Sequence, residues 1–82
     1  MDLEEIVERF IDEACEPEKG ARVQAMDLYR AFEEWHRREI GPRIPTQKAF
    51  GTAMTLKAGE KGVKKDVITG KVFYRGVRVK EG

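Results

Sequence analysis

Thr46-Gln47-Lys48-Ala49-Phe50-Gly51-Thr52-Ala53-Met54-Thr55-Leu56-Lys57, followed by the glycines at 59 and 62 and the run Val63 to Lys80, decides the fold of this chain. Pro45 ahead of a Thr46 cap starts a helix over residues 46–57. Ala49, Phe50, Ala53 and Met54, with Leu56 or the stem of Lys57, can pack inward, which leaves Gln47, Lys48, Gly51, Thr52 and Thr55 outward. That outer side is small, polar and nearly free of carboxylates. Past Gly62 the apolar period falls from 3.6 towards 2. Val63, Val67 and Ile68 lead into Thr69-Gly70-Lys71, and Val72, Tyr74, Val77 and Val79 follow in a β-rich run. The pattern predicts a β-hairpin over 62–80 with a glycine-containing tip.

Working back towards the amino terminus, Leu3, Ile6, Val7, Phe10, Ile11 and Ala14 mark one face of a helix over residues 2–15. Asp2 is its N-cap, Glu4 and Glu5 sit where the helix end is positive, and Pro17 and Gly20 stop it. Residues 16–20 read as a turn. Residues 21–25 alternate small or apolar with long polar side chains and read as a short strand. A second helix over 26–39 carries Leu28, Ala31, Phe32 and Trp35 on one stripe and ends before Gly41-Pro42. Tyr29 joins Leu28, Phe32 and Trp35 as core, because aromatic residues at helical spacing belong to the interior far more often than to a base-stacking surface.

Eighty-two residues hold one core, and one domain is expected over residues 1–82. Apolar residues make up 40% of the chain, and charged residues 38%, well above the roughly 25% of an average soluble domain. The single Cys15 excludes an intramolecular disulfide, and with the lone His36 it cannot complete a zinc site, so no metal or cofactor is expected. No stretch approaches the roughly 20 apolar residues of a membrane span, and the expected location is cytoplasmic. The net charge of +1 conceals a division at Gly41. Residues 1–41 hold six Lys/Arg against twelve Asp/Glu, a formal −6, whereas residues 42–82 hold ten against three, a formal +7. Such asymmetry points to a polyanion approached from one side.

Helix, short strand, helix, helix and hairpin is the order of a winged helix, an α+β variant of the helix-turn-helix with three helices, a small antiparallel sheet and a carboxyl-terminal β-hairpin wing. In helix-turn-helix proteins the second helix of the pair enters the major groove. Here that helix is 46–57. Thr46, Gln47, Lys48, Gly51, Thr52, Thr55 and Lys57 are its candidate contacts with double-stranded DNA. Gln47 suits an adenine edge, Lys48 and Lys57 a guanine or phosphate, Thr52 and Thr55 a phosphate or thymine methyl, and Gly51 a close backbone approach. Lys64, Lys65, Lys71 and Arg75 on the hairpin are the candidate phosphate anchors. With roughly six phosphates neutralised, log affinity should fall against log salt with a slope of about −5. The acidic first helix would then face away from DNA.

The runs Phe10-Ile11-Asp12-Glu13-Ala14-Cys15, Arg22-Val23, Asp27-Leu28-Tyr29-Arg30-Ala31-Phe32-Glu33-Glu34-Trp35, Lys48-Ala49-Phe50-Gly51 and Tyr74-Arg75-Gly76-Val77-Arg78-Val79 span nearly the whole chain. Together they resemble the carboxyl-terminal winged-helix domain of phage and plasmid DNA primase-helicases, shared with poxvirus-type primase-NTPases. The resemblance implies a DNA-binding module that helps such proteins engage an origin or template, with the primase and helicase domains of a parent protein as partners. It implies no catalysis in this segment. The chain has no Gly-x-x-x-x-Gly-Lys-(Ser/Thr) phosphate loop and no paired metal-binding carboxylates, and it is not expected to be an enzyme.

Plainer explanations stand beside these. Lysines on edge strands block aggregation, which alone would account for Lys64, Lys65 and Lys71. His36 with Arg37 and Arg38 suits a negative helix end, and Cys15 reads as a small core residue among carboxylates that would not activate a thiol. The competing functional class is a protein-interaction winged helix, acting through its acidic first helix or by self-association between the −6 and +7 halves.

Overall fold

In the computed structural model, which describes residues 2–80, the elements follow as α1 (Leu3–Ala14), β1 (Cys15–Gln24), α2 (Ala25–Glu39), α3 (Gln47–Glu60), β2 (Lys64–Ile68) and β3 (Lys71–Val79). The fold is α+β. Its three strands form one antiparallel sheet in the order β1-β3-β2. Among the described residues no helix is long and apolar enough to cross a membrane.

Each helix contributes one phenylalanine to the centre. Phe10 of α1, Phe32 of α2 and Phe50 of α3 are fully buried, with ring centroids 5.3 Å apart for Phe10 and Phe32 and 4.5 Å for Phe32 and Phe50. Each such ring contributes about 1.5–3 kcal/mol through burial alone. Leu28, Trp35, Met54, Ala58, Tyr74 and Val77 close the cluster, and Tyr29 packs against it. Trp35 also donates its indole N–H to Glu13 at 3.3 Å, while Arg9 lies over the Trp35 ring and pairs with Glu13 at 2.5 Å and Glu39 at 3.7 Å. This set joins α1 to α2. The hydrogen bond from Arg9 is the main reason that the Glu13 carboxyl stays below the ordinary carboxylate range.

Asp2 caps α1 by accepting from the Glu5 amide at 2.9 Å, and Thr46 caps α3 by accepting from the Ala49 amide at 3.2 Å. Between α2 and α3 the chain is held by two side chains. Tyr29 donates its hydroxyl to the Pro45 carbonyl at 2.6 Å, and Nδ1 of the buried His36 lies 2.8 Å from the Gly41 carbonyl. A carbonyl only accepts, so the proton sits on Nδ1. His36 is therefore a buried structural pin against the Phe32 ring rather than a surface side chain.

Residues 16–20 are not a free turn. The first helix ends at Ala14, and Cys15 is already extended and paired with Val79. β1 pairs with β3 in two stretches, Cys15 to Pro17 opposite Val77 to Val79 and Arg22 to Gln24 opposite Phe73 to Arg75. Residues 18–21 bulge out between them, opposite Gly76. The strand expected at 21–25 is thus the second half of β1, and Ala25 opens α2. Pro17 is tolerated because β1 is an edge strand. Gly76 adopts φ +88, a left-handed conformation that costs other residues about 1–2 kcal/mol. The slip at the bulge lets both Tyr74 and Val77, three residues apart, reach the core.

α3 runs to Glu60, past the expected end at Lys57, because Ala58 is buried and anchors the last turn. The hairpin turns through Thr69 at φ +54 and Gly70 at φ +77, a two-residue loop of the type that matches strand twist.

Candidate nucleic-acid interface

The exposed side of α3 gathers most of the residues proposed from sequence. Thr46, Gln47, Lys48, Thr52 and Thr55 are all exposed, and Gly51 is half-buried beside them. No carboxylate of α3 lies there before Glu60. A methyl group added at Gly51 or Gly59 would touch nothing within 4 Å. A mid-helix glycine costs about 1 kcal/mol relative to alanine, so neither glycine is kept for packing within the chain.

The two threonines offer less to a phosphate than their position suggests. The Thr52 hydroxyl donates to the Lys48 carbonyl at 3.2 Å, and the Thr55 hydroxyl donates to the Gly51 carbonyl at 2.8 Å. Both hydrogens point back along the helix. What remains outward is methyl surface and oxygen lone pairs, which suit an apolar contact better than an anion.

Lys57 does not share this side. Its amine lies 3.8 Å from Glu8 of α1 and 3.7 Å from Glu60, with the side chain only 20% exposed. The next cation, Lys61, pairs with Asp12 at 3.0 Å, which pushes its amine above the ordinary range. Arg78 pairs with Glu16 and lies 3.5 Å from Glu18. Three of the ten cations in residues 42–82 are therefore spent on acids of the first eighteen residues. The opposite charges of the two halves interlock as well as separate. Nor does α1 lie wholly apart from the outer side of α3: Leu3 and Glu4 line a groove of about 700 Å³ with Lys48, Ala49, Thr52, Ala53 and the half-exposed Leu56.

Strand register sorts the hairpin cations. Arg75 stands opposite Lys64 on one side and Arg22 on the other, so three cations form one row across the sheet. Phe73 and Lys71 follow Arg75 on the same face by alternation. Lys65 is opposite the buried Tyr74 and belongs to the other face. Arg75 approaches Asp66 at 3.5 Å, whereas Lys64, Lys65, Lys71 and Arg22 have no ion pair among the described residues. Arg22 and Lys19 were not singled out from sequence. Arg22 lay within the strand expected at 21–25, but its place opposite Arg75 depends on long-range pairing, and Lys19 lay in the segment 16–20 that read as a turn.

Cys15 is 3% exposed, and burial pushes its thiol up to about 12. Among the described residues no group of three or more His, Cys, Asp or Glu could hold a metal ion. Comparison with protein-family models, with curated proteins and with solved structures gives no match for this chain.

Proposed function

We propose that this chain is a winged-helix module that binds duplex DNA, with α3 as the recognition helix and the β2–β3 hairpin as the wing. The observation that carries the proposal is the outer side of α3: small, carboxylate-free up to Glu60, with two glycines at which an added methyl group would meet nothing. The element order and the sheet order β1-β3-β2 support it, since they put a hairpin directly after α3 and pack β2 against that helix. Gln47 and Lys48 read or position base edges, Thr52 and Thr55 offer methyl groups, and Lys64, Lys65, Lys71 and Arg75 hold phosphates. The motif pattern further supports a place in a phage- or plasmid-type replication protein, beside primase and helicase domains. The role is binding, without catalysis.

The test is fluorescence anisotropy with labelled duplexes. Changing Lys64 and Lys71 to Glu should weaken binding to any duplex, whereas Gln47→Ala should alter preference among sequences. If neither moves affinity, α3 and the wing are the wrong surface.

One observation favours a second reading, protein docking: Leu3, Ala49, Ala53 and Leu56 make much of the groove beside α3 apolar. Sedimentation without DNA separates the two. Concentration-dependent association abolished by Leu56→Ser would favour docking between copies, and a monomer at all concentrations would remove that version.

A further inference from the structure

The outer face of the sheet carries a feature that the duplex reading uses only in part. Arg22, Arg75 and Lys64 lie directly opposite one another on β1, β3 and β2. Like charges in directly opposed positions destabilise a sheet. Protection of edge strands explains Arg22 and Lys64, which lie on the two edges, but not Arg75, which is on the central strand. One carboxylate, Asp66 at 3.5 Å from Arg75, offsets the row.

Next to that row on the central strand is Phe73. It is half-buried, lies outside the hydrophobic core and makes none of the aromatic pairs that tie Phe10, Phe32 and Phe50 together. The Arg22 guanidinium lies over the ring, 5.2 Å from its centroid, so a planar base would stack against this ring and guanidinium pair. An aromatic ring on the solvent side of a sheet, flanked by cations, contributes little to this core. The β1 bulge walls the same face, and a groove of about 870 Å³ beside Phe73 is lined by Lys19, Arg22, Lys64 and Arg75 together with Glu18 and Asp66.

We propose that this face is a platform for single-stranded nucleic acid, with a base stacked on Phe73 and the adjoining phosphates on Arg22, Arg75 and Lys64. Cations alone would suit any polyanion. The ring selects the single strand, because bases in a duplex are already stacked on one another, whereas an unpaired base has a free π-face. The platform is independent of α3. It shares Lys64 and Arg75 with the wing, so its test rests on Phe73 and Arg22, which the duplex reading leaves unused.

The experiment is anisotropy with a short labelled oligo(dT) and, separately, a blunt duplex. Phe73→Leu keeps apolar bulk but loses the π-face, and it should weaken oligo(dT) binding about five- to hundredfold while changing duplex affinity less than about twofold. Phe73→Tyr should restore single-strand binding. Arg22→Gln should weaken it and make it less salt-dependent. An unchanged melting temperature for Phe73→Leu shows that the fold is intact. Absence of oligo(dT) binding at low salt, or binding indifferent to Phe73→Leu, overturns the platform. Oligo(dT) binding that depends on Phe73 in a chain with no affinity for duplex supports the platform and sinks the α3 reading.

Discussion

Removing the charge at Lys64 and Lys71 together, as Lys64→Gln with Lys71→Gln, should flatten the salt dependence of duplex binding by an amount that the structure sets. Sequence alone offers six cations to phosphate on α3 and the hairpin: Lys48, Lys57, Lys64, Lys65, Lys71 and Arg75. Lys57 leaves that set, because its amine is held between Glu8 and Glu60 with the side chain 20% exposed, whereas Arg75, although 3.5 Å from Asp66, stays 63% exposed and within reach of a phosphate. Five contacts at about 0.9 each give a slope of roughly −4.5 in log affinity against log salt. Losing two should leave about −2.7. Lys57→Gln, in contrast, should leave the slope near −4.5 and at most lower stability slightly, since a partly exposed pair contributes little. Anisotropy of a labelled duplex, titrated from about 25 to 200 mM salt, reads both quantities. A double variant with the parental slope, or a Lys57→Gln slope as shallow as that of Lys71→Gln, would refute the reasoning.

Gly51→Ala should raise stability by about 0.5–1 kcal/mol, because a helical glycine is removed where the new methyl meets nothing, and should weaken duplex binding; a gain in both would deny Gly51 any role in close approach. Thr69→Asn should stabilise the hairpin by about 1 kcal/mol, seen as a rise of several degrees in melting temperature, because Asn tolerates φ +54 and a β-branched residue does not. For Cys15 the folded pKa lies above the ordinary 9.0, at about 12, so the thiol favours the fold equally at all pH values below 9 and works against it above. Between those values the unfolded chain ionises first, and stability should fall by about 1.4 kcal/mol per pH unit; urea melts of the parent and Cys15→Ala should diverge above pH 9 and run parallel below it.

Helices α1 and α2 were legible because each has a one-sided apolar stripe, whereas α3, whose Leu56 is exposed, was legible from its Thr46 cap and the spacing of Phe50, Ala53 and Met54; Phe10, Phe32 and Phe50 meet at the centre. The slip in β3 was also written in the sequence. Val72 and Tyr74 alternate, Val77 and Val79 alternate, and the phase changes at Gly76. What could not be read was the partner that the slip requires. Pro17 and Gly20 carry turn chemistry, and only long-range pairing with Val77 to Val79 draws Cys15 to Pro17 into the sheet. For the site, exposure along α3 followed from the helix period, but the orientation of Lys57 did not. Its direction is set by Glu8, on a helix whose position relative to α3 is a tertiary fact. The same holds for Thr52 and Thr55, whose hydroxyls a sequence leaves free and the helix turns back on its own carbonyls.

These placements divide affinity from discrimination. Lys48 is the sole cation on the exposed side of α3, so that helix can orient a base edge but cannot supply much of the phosphate attraction on which non-specific binding depends. On the hairpin Lys64, Lys65 and Lys71 have no ion pair among the described residues, and Arg75 stands exposed on the central strand between Lys64 and Arg22. Substitutions on the two elements should therefore produce different signatures. Changes on α3 alter the ratio between sequences at fixed salt, and changes on the sheet move all sequences together and alter the salt slope. A surface that served only to keep an edge strand soluble would yield neither, because its lysines could be exchanged for glutamates at no cost to binding. The central position of Arg75, beside a ring that the core does not use, is the point at which solubility ceases to be a sufficient explanation.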